Sequence, residues 1–452
     1  MPKTIRIRKG LNIHLKGRAE KVSFTVPSDG LYAVFPDDFP AVAPKLEVSQ
    51  GDRVLAGDVL FRFKKSENVC FTSPVSGIVE EIRRGERRKV EMILIRADVE
   101  QSYRGFSLPE NPSSGQIREL MQQSGLWAFF RTRPFDTVPM QDAVPRDIFV
   151  STFHTAPLAP DTQFTLAGRM KEFQAGIDAL AALTPGKVWM GMDGAVCDSV
   201  FDTVTGVEKI LITGPHPAGN ASVLINHTLP VNKGETVFTM SPEDVATVGS
   251  FMLTGKYSPM RKIAVTGSGV EKPGYVSALQ GASIEKLTDG NIRGEEKMRF
   301  ISGNVLTGRD AGRDGFIGFY DNQVTVIPEG DRDTRMFGWI SPSSDRFSFL
   351  RAGTFSWLFP SREYELNTST NGEPRHFVLT GIYGRVFPFD IFPEELVKAA
   401  ITGDVERMEA LGIYEIAPED FALCSFVCPS KIEHQVIIRR ALDKICKEDA
   451  GY

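Results

Sequence analysis

Two cysteines near the carboxyl end have a spacing that could serve an iron–sulfur cluster. Cys424 and Cys428 form a C-x3-C-P pattern, which is the last part of the C-x2-C-x2-C-x3-C-P run of bacterial [4Fe–4S] proteins. Phe421 and Pro418 occupy the two earlier thiolate positions. Because two thiolates cannot hold a cubane cluster, the sequence predicts no metal site. The pair is interpreted as a degenerate cluster remnant, and the alternative is two small residues buried in a helical corner.

The loop at 214–219 has the position of a phosphate cradle but not its composition. It follows an apolar strand candidate and precedes a helix candidate, which is where α/β sheets bind ligands. Gly214 and Gly219 could bring amides to an anion, but the two prolines of the loop carry no amide donor. We interpret Gly214, His216 and Gly219 as a degenerate flavin-type loop. His216 is expected to be a structural or partner contact, and we predict no catalytic residue.

A third candidate is the lysine pair Lys64–Lys65, which lies at the hairpin tip between two similar halves of residues 36–98. This arrangement resembles the biotinyl/lipoyl hammerhead, in which a lysine at the tip carries the cofactor. The tip has neither Met-Lys-Met nor Asp-Lys-Ala. We therefore predict a solvated tip, with a modified lysine as the alternative. The basic run at 83–89 is expected to discourage strand pairing, with a docking surface for an acidic partner or headgroup as the alternative.

Four segments of different periodicity must position these residues. Short strands separated by frequent turns over 36–98 indicate a small barrel or sandwich. Helices alternating with short strands from about 110 to 255 indicate an α/β layer. A helix is predicted over residues 166–183, which are rich in Ala, Leu and Met, and a helix start is predicted at Ser241. A strand at 261–265 opens a third unit. Residues 393–447 are typical of four short helices, broken at two glycines and a proline.

Composition excludes several classes of protein. The chain has 452 residues, a formal net charge of −5 and five cysteines. This balance does not predict a nucleic-acid partner, and the sparse, odd set of cysteines favours free thiols in a reducing compartment. No apolar run approaches the roughly 20 residues of a membrane span, and the first residues lack the apolar core of a signal peptide. We expect membrane contact only through partner subunits.

Several segments, taken in order, resemble one family over essentially the whole length. That family is NqrA, the A subunit of the Na⁺-translocating NADH:quinone oxidoreductase. The segments that carry the resemblance are Lys9-Gly10-Leu11-Asn12, Ser73-Pro74-Val75-Ser76-Gly77, the loop at 214–219, Ser302-Gly303-Asn304-Val305-Leu306-Thr307-Gly308, Phe337-Gly338-Trp339-Ile340, Thr370-Asn371-Gly372 and Leu423-Cys424-Ser425-Phe426-Val427-Cys428-Pro429.

The resemblance implies a fold class that is multidomain α/β and α+β. The implied units are a biotinyl/lipoyl-like barrel-sandwich hybrid with an N-terminal segment (1–100), a Rossmann-like α/β domain (101–256), a β-grasp domain of the SLBB type (257–335), and a loop-rich segment with a helical domain of degenerate iron–sulfur type (336–452). The family is similar to the flavin-bearing subunit of respiratory complex I, with the flavin and cluster sites lost.

The resemblance also implies a function and a location. The expected role is that of a peripheral component at the cytoplasmic face of the bacterial inner membrane, contributing to the quinone-reduction step and to assembly. The complex uses NADH, flavins, iron centres and quinone, but no cofactor is expected on this chain. The expected partners are the other subunits, with ubiquinone or menaquinone as a candidate ligand. The alternatives are a stand-alone flavin-dependent oxidoreductase and a biotinyl or lipoyl carrier.

Overall fold

The structure is a computed structural model that describes residues 2–294, 297–330, 347–350 and 356–449. The segment at 337–340 noted above lies outside the described residues. The strands in chain order are β1 (Lys3–Arg6), β2 (Ser23–Thr25), β3 (Gly30–Val34), β4 (Pro44–Leu46), β5 (Arg53–Val54), β6 (Val59–Phe63), β7 (Ser66–Thr72), β8 (Gly77–Arg84), β9 (Val90–Ala97), β10 (Arg131–Arg133), β11 (Ile148–Ser151), β12 (Val188–Asp193), β13 (Glu208–Thr213), β14 (Val237–Thr239), β15 (Met260–Thr266), β16 (Gly274–Leu279), β17 (Met298–Ser302), β18 (Arg309–Asp310) and β19 (Gln323–Pro328). The helices are α1 (Ser114–Ser124), α2 (Thr162–Thr165), α3 (Met170–Leu183), α4 (Ala221–Thr228), α5 (Pro242–Thr254), α6 (Ile284–Thr288), α7 (Pro393–Thr402), α8 (Val405–Ala410), α9 (Ala422–Val427) and α10 (His434–Asp449).

The first unit is built from two small sheets, in the orders β3-β9-β8-β5 and β4-β6-β7. Its strands are short because turns interrupt the chain at Gly51 and Gly57, where φ is positive, a conformation that glycine adopts at little steric cost. Phe61, Phe63 and Phe71 are fully buried between the sheets. The predicted strands of this unit are present.

The second unit is a six-stranded sheet in the order β1-β13-β12-β11-β14-β10, parallel except for the pair β10–β14. Helix α5 begins as predicted, because the Ser241 hydroxyl accepts a hydrogen bond from the Asp244 amide (3.2 Å). A helix predicted from Leu166 begins only at Met170. The reason is Gly168, whose φ of +84° is incompatible with a right-handed helix.

The third unit is a mixed sheet in the order β18-β17-β19-β15-β16-β2, with the short helix α6 beside it. Its outer strand β2 comes from near the N-terminus and pairs with β16 in parallel. Strand β1 in turn lies beside β13 in the second unit. The first residues of the chain therefore belong to the sheets of two later units.

The last unit consists of α7 to α10, whose apolar side chains share a hydrophobic core with β1, β13 and α4. Helix α7 ends where Gly403 adopts φ +71°, and Gly412 at φ +88° separates α8 from the next turn. The predicted breaks are therefore observed, although Pro418 starts a single 3-10 turn before α9. No helix within the described ranges is long and apolar enough to cross a lipid bilayer.

Candidate functional site

The loop at 214–219 joins the end of β13 to the start of α4 and brings Gly214, His216 and Gly219 together. Gly214 is exposed and has φ +145°, whereas His216 is buried with 3% of its surface accessible. The His216–Pro217 peptide bond is cis. The sequence therefore placed this loop correctly between a strand and a helix, but most of the loop faces the interior.

The chain's own N-terminal segment covers the inner side of this loop. The Leu11 amide donates to the His216 carbonyl (2.9 Å), and the His216 amide donates to the Asn12 side chain (2.9 Å). A Cβ atom on Gly10 would lie 2.2 Å from the His216 carbonyl oxygen, so only glycine fits there. A phosphate cradle needs free amides, and the His216 amide is already bonded to the chain itself.

His216 has the environment of a neutral structural side chain. Its Nδ1 lies 3.1 Å from the Thr155 hydroxyl, which also accepts from the Gly219 amide at 3.0 Å. The direction of the contact between Thr155 and His216 depends on the imidazole tautomer. Burial lowers the pKa of His216 to about 4. In the described part of the chain, the one side-chain hydrogen bond of the ring is that to Thr155.

The second sheet has its topological switch between β11 and β14, where strand order reverses and ligands of α/β folds usually bind. The third unit covers this crevice. Tyr275 accepts a hydrogen bond from the Asp161 amide (2.8 Å), Gln323 donates to the Pro157 carbonyl (3.3 Å) and Lys262 donates to the Phe164 carbonyl (3.1 Å).

The N-terminus of α5, which faces the same crevice, carries its own negative charges. Asp244 forms an ion pair with Arg261 of β15, and each side chain is about 2% exposed. Glu243 accepts from the Thr165 hydroxyl at 2.8 Å. An incoming phosphate would have to displace these carboxylates from the positive end of the helix. Sequence reasoning missed Arg261; the available signal was a charged residue near the start of a strand whose centre, residues 263–265, is apolar.

Cys424 and Cys428 lie in the apolar core of the helical unit, and neither is exposed. The Tyr383 hydroxyl lies 3.0 Å from the Cys428 sulfur, and the Ile432 amide donates to the same sulfur at 3.5 Å. Burial raises the pKa of the Cys424 thiol, which disfavours the thiolate that metals bind. In the described ranges, no three or more histidine, cysteine or carboxylate side chains are grouped to hold a metal ion.

Lys64 and Lys65 form the exposed two-residue turn between β6 and β7, as predicted. The hairpin itself is fixed to the second unit. The Gln141 amide donates to the Ser66 hydroxyl (2.7 Å), and the Thr72 hydroxyl donates to the Ser124 carbonyl (3.0 Å). A carrier hairpin must move so that its lysine reaches distant active sites. The hydrogen bonds that hold this hairpin to the second unit therefore disfavour a carrier role.

The basic hairpin between β8 and β9 is exposed. Arg83 pairs with Glu81 (3.2 Å) and Lys89 pairs with Asp37 (2.7 Å). Arg87 and Arg88 occupy the turn with positive φ. Part of the basic charge is therefore neutralised locally, in keeping with a solvated edge.

Three family models match the chain in order. They are described as "NqrA N-terminal barrel-sandwich hybrid domain" (residues 5–98), "NqrA second alpha/beta domain" (113–257) and, for the SLBB model, "NQRA C-terminal domain" (262–313). A Neisseria meningitidis serogroup B protein, named as the A subunit of Na(+)-translocating NADH-quinone reductase, is 37% identical over 450 residues, which cover 98% of this chain and 100% of that protein. The chain belongs to this NqrA family. The resemblance and the fold class inferred from the sequence are thus confirmed.

Other members of the NqrA family match this chain to the same degree and over a similar length. Proteins of that name from Rhodopirellula baltica and Hahella chejuensis are each 37% identical, over 98% of this chain and 98% and 100% of their own lengths. Among solved structures, an H2-reduced NAD+-reducing [NiFe]-hydrogenase aligns with 75% of this chain at 13% identity and a TM-score of 0.37. The alignment spans 62% of the hydrogenase chain.

Proposed function

We propose that this chain is the peripheral NqrA component of a Na⁺-translocating NADH:quinone oxidoreductase. In this role it contributes to the quinone-reduction step and to assembly of the complex, and it binds no flavin or iron–sulfur cluster of its own. The observation that carries the proposal is identity of 37% from end to end with proteins named as this component. Reaction chemistry then belongs to the complex, which uses NADH, flavins, iron centres and quinone.

The candidate site residues support the absence of a resident cofactor. Gly214, His216 and Gly219 belong to a loop whose inner amides bond to the chain itself. Cys424 and Cys428 are buried thiols in an apolar core, and burial raises the pKa of the Cys424 thiol. Both sets fit a scaffold inherited from a cofactor-binding architecture better than they fit a working flavin or cluster site.

We propose four domains with boundaries at 1–100, 101–256, 257–335 and 336–452. The matched family models support the first three divisions. We further place the chain at the cytoplasmic face of the bacterial inner membrane, held there by the other subunits. A direct contact with ubiquinone or menaquinone would require an apolar slot with one or two hydrogen-bond donors for the carbonyls.

Complementation tests the proposal. In a strain that lacks this chain, membranes should lose Na⁺-dependent NADH:quinone activity, and a tagged copy should restore it and purify with the membrane subunits. Failure of the tagged chain to purify with those subunits, or to restore the activity, would contradict the assignment. Purified chain that oxidises NADH with a bound yellow chromophore would revive the stand-alone flavoenzyme. An added mass on Lys64 or Lys65 would revive the carrier.

A matched pair of variants tests the absence of a cluster. Cys424→Ala/Cys428→Ala should support the same quinone-reductase activity as Cys70→Ala, which also removes a buried thiol but lies outside the C-x3-C-P pattern. Iron content and visible absorbance of the isolated chain should be unchanged in both. Loss of iron or colour in the first variant alone would show that the two thiols hold a metal.

A further inference from the structure

A solvent-open cavity of about 590 Å³ lies where β1 and β13 end side by side. Its size is within the range of ligand pockets, which is roughly 300–1,000 Å³. Two of the lining residues belong to the loop at 214–219. The residues that line it are Arg6, Ile7, Arg8, Thr213, Gly214 and Pro215.

Two guanidinium groups of this cavity have no counterion among the described residues. Arg6 and Arg8 alternate with the buried residues Ile5 and Ile7, so the strand directs both arginines away from the core. Neither arginine forms an ion pair, a side-chain hydrogen bond or a ring contact with a described residue. No carboxylate is among the lining residues. The cavity therefore carries two positive charges that no described residue compensates.

One neutral donor lies at the same place. The Thr213 hydroxyl makes no hydrogen bond to another described group. A Cβ atom on Gly214 would clash with the Ile7 carbonyl oxygen, so glycine permits the close approach of the two strand ends. Two guanidinium groups and one hydroxyl can together serve several oxygens of one anion.

We propose that this cavity binds the phosphate group of an organic phosphate. A phosphate offers more acceptor oxygens than a carboxylate, and arginine pairs with it bidentately. The cavity is larger than one phosphate, which leaves space for the organic part of the ligand. The phosphate can come from a soluble nucleotide or from the headgroup of an anionic phospholipid, and both present the same chemistry to Arg6 and Arg8.

Binding to the purified full-length chain tests the proposal in two arms. Calorimetric titration with ADP and with pyrophosphate tests a soluble source, and co-sedimentation with phosphatidylglycerol vesicles, against phosphatidylcholine vesicles, tests a lipid source. One of the two arms should show binding that weakens as salt rises. Arg6→Ala/Arg8→Ala should weaken it by about tenfold or more, because each charged hydrogen-bond donor contributes strongly to anion binding.

The control variant removes the same charge elsewhere. Arg313→Ala/Arg440→Ala takes away two exposed arginines that also lack partners among the described residues, and it should bind like the parent. Arg8 lies beyond the end of β1, so Arg8→Ala alone should not disturb the strand. Weaker binding by this single variant would therefore reflect the lost charge and not misfolding. Absence of binding in both arms, or equal weakening in the control, would overturn the proposal.

Discussion

The ion pair between Arg261 and Asp244 joins the second and third units, and its removal gives the sharpest test of how the crevice is closed. We consider Arg261→Met, which keeps most of the side-chain volume and removes the charge. In the structure, Arg261 also donates to the Phe319 carbonyl (2.8 Å) and to the Asn322 side chain (3.1 Å). The substitution therefore leaves the buried Asp244 carboxylate and the part-buried Asn322 side-chain oxygen without this donor, while the Phe319 carbonyl keeps the Gln280 side chain as a donor (2.6 Å).

The magnitude follows from that burial. Breaking a buried pair by removing one partner costs about 3–5 kcal/mol, which lowers the folding equilibrium constant by roughly two to four orders of magnitude. Burial already raises the pKa of Asp244 despite Arg261, and loss of the arginine should raise it further. A carboxyl whose pKa is higher in the folded state favours folding when protonated. The variant should therefore lose more stability near pH 8 than near pH 5.

Urea unfolding followed by tryptophan fluorescence at the two pH values measures both effects. Arg96→Met is the matched control, since its partner Glu80 and Arg96 itself are largely exposed (39% and 58%), and such pairs contribute only about 0–1 kcal/mol. A cost below about 1 kcal/mol for Arg261→Met, or one that does not depend on pH, would refute the view that this buried charge pair holds the two units together.

Three further predictions concern other parts of the molecule. Burial lowers the pKa of His216 and His434 to about 4. The free energy of unfolding should therefore fall by up to about 3 kcal/mol per histidine as the pH drops from about 6.5 toward 4. Equal free energies of unfolding at these two pH values, measured by urea titration, would contradict this. Cys197 is the one exposed thiol of five, so Ellman's reagent should titrate one thiol in the native chain and five in denaturant, and a second fast thiol would show that a buried cysteine is accessible. Gly10→Ala should destabilise the chain by about 1–3 kcal/mol, because its Cβ would meet the His216 carbonyl; an unchanged melting temperature would argue against close packing of the N-terminal segment on the loop.

Local features of the fold could be predicted from the sequence because their causes are local. The start of α5 at Ser241 depends on a cap, a proline and two acids within four residues, and it was predicted correctly. The start of α3 was misplaced by four residues, since Leu166 continues the apolar pattern while Gly168 interrupts the backbone. The prediction gave more weight to the apolar, helix-favouring residues than to Gly168. In the structure, the backbone conformation of Gly168 determines where the helix begins.

Features that depend on distant pairing could not be predicted. Nothing near Lys3 indicates that β1 pairs with β13, about two hundred residues away, and nothing near Ser23 indicates β16. The prolines of the loop at 214–219 lie in the loop itself, so the sequence alone indicates that the loop does not suit a flavin. The segment that covers the loop is distant in the sequence, so this contact could not be predicted. The segment Lys9-Gly10-Leu11-Asn12 was noted in the sequence, but only the structure shows that it contacts His216.

The placement of β1 and β2 has a consequence for synthesis. Both strands are synthesised well before their partner strands, which end at Thr213 and Leu279. Until those partners have been made, β1 and β2 have no sheet to join, and unpaired strand edges are prone to pair elsewhere. A bulky tag fused directly before Lys3 should therefore slow maturation of the whole chain more than the same tag placed after the last helix.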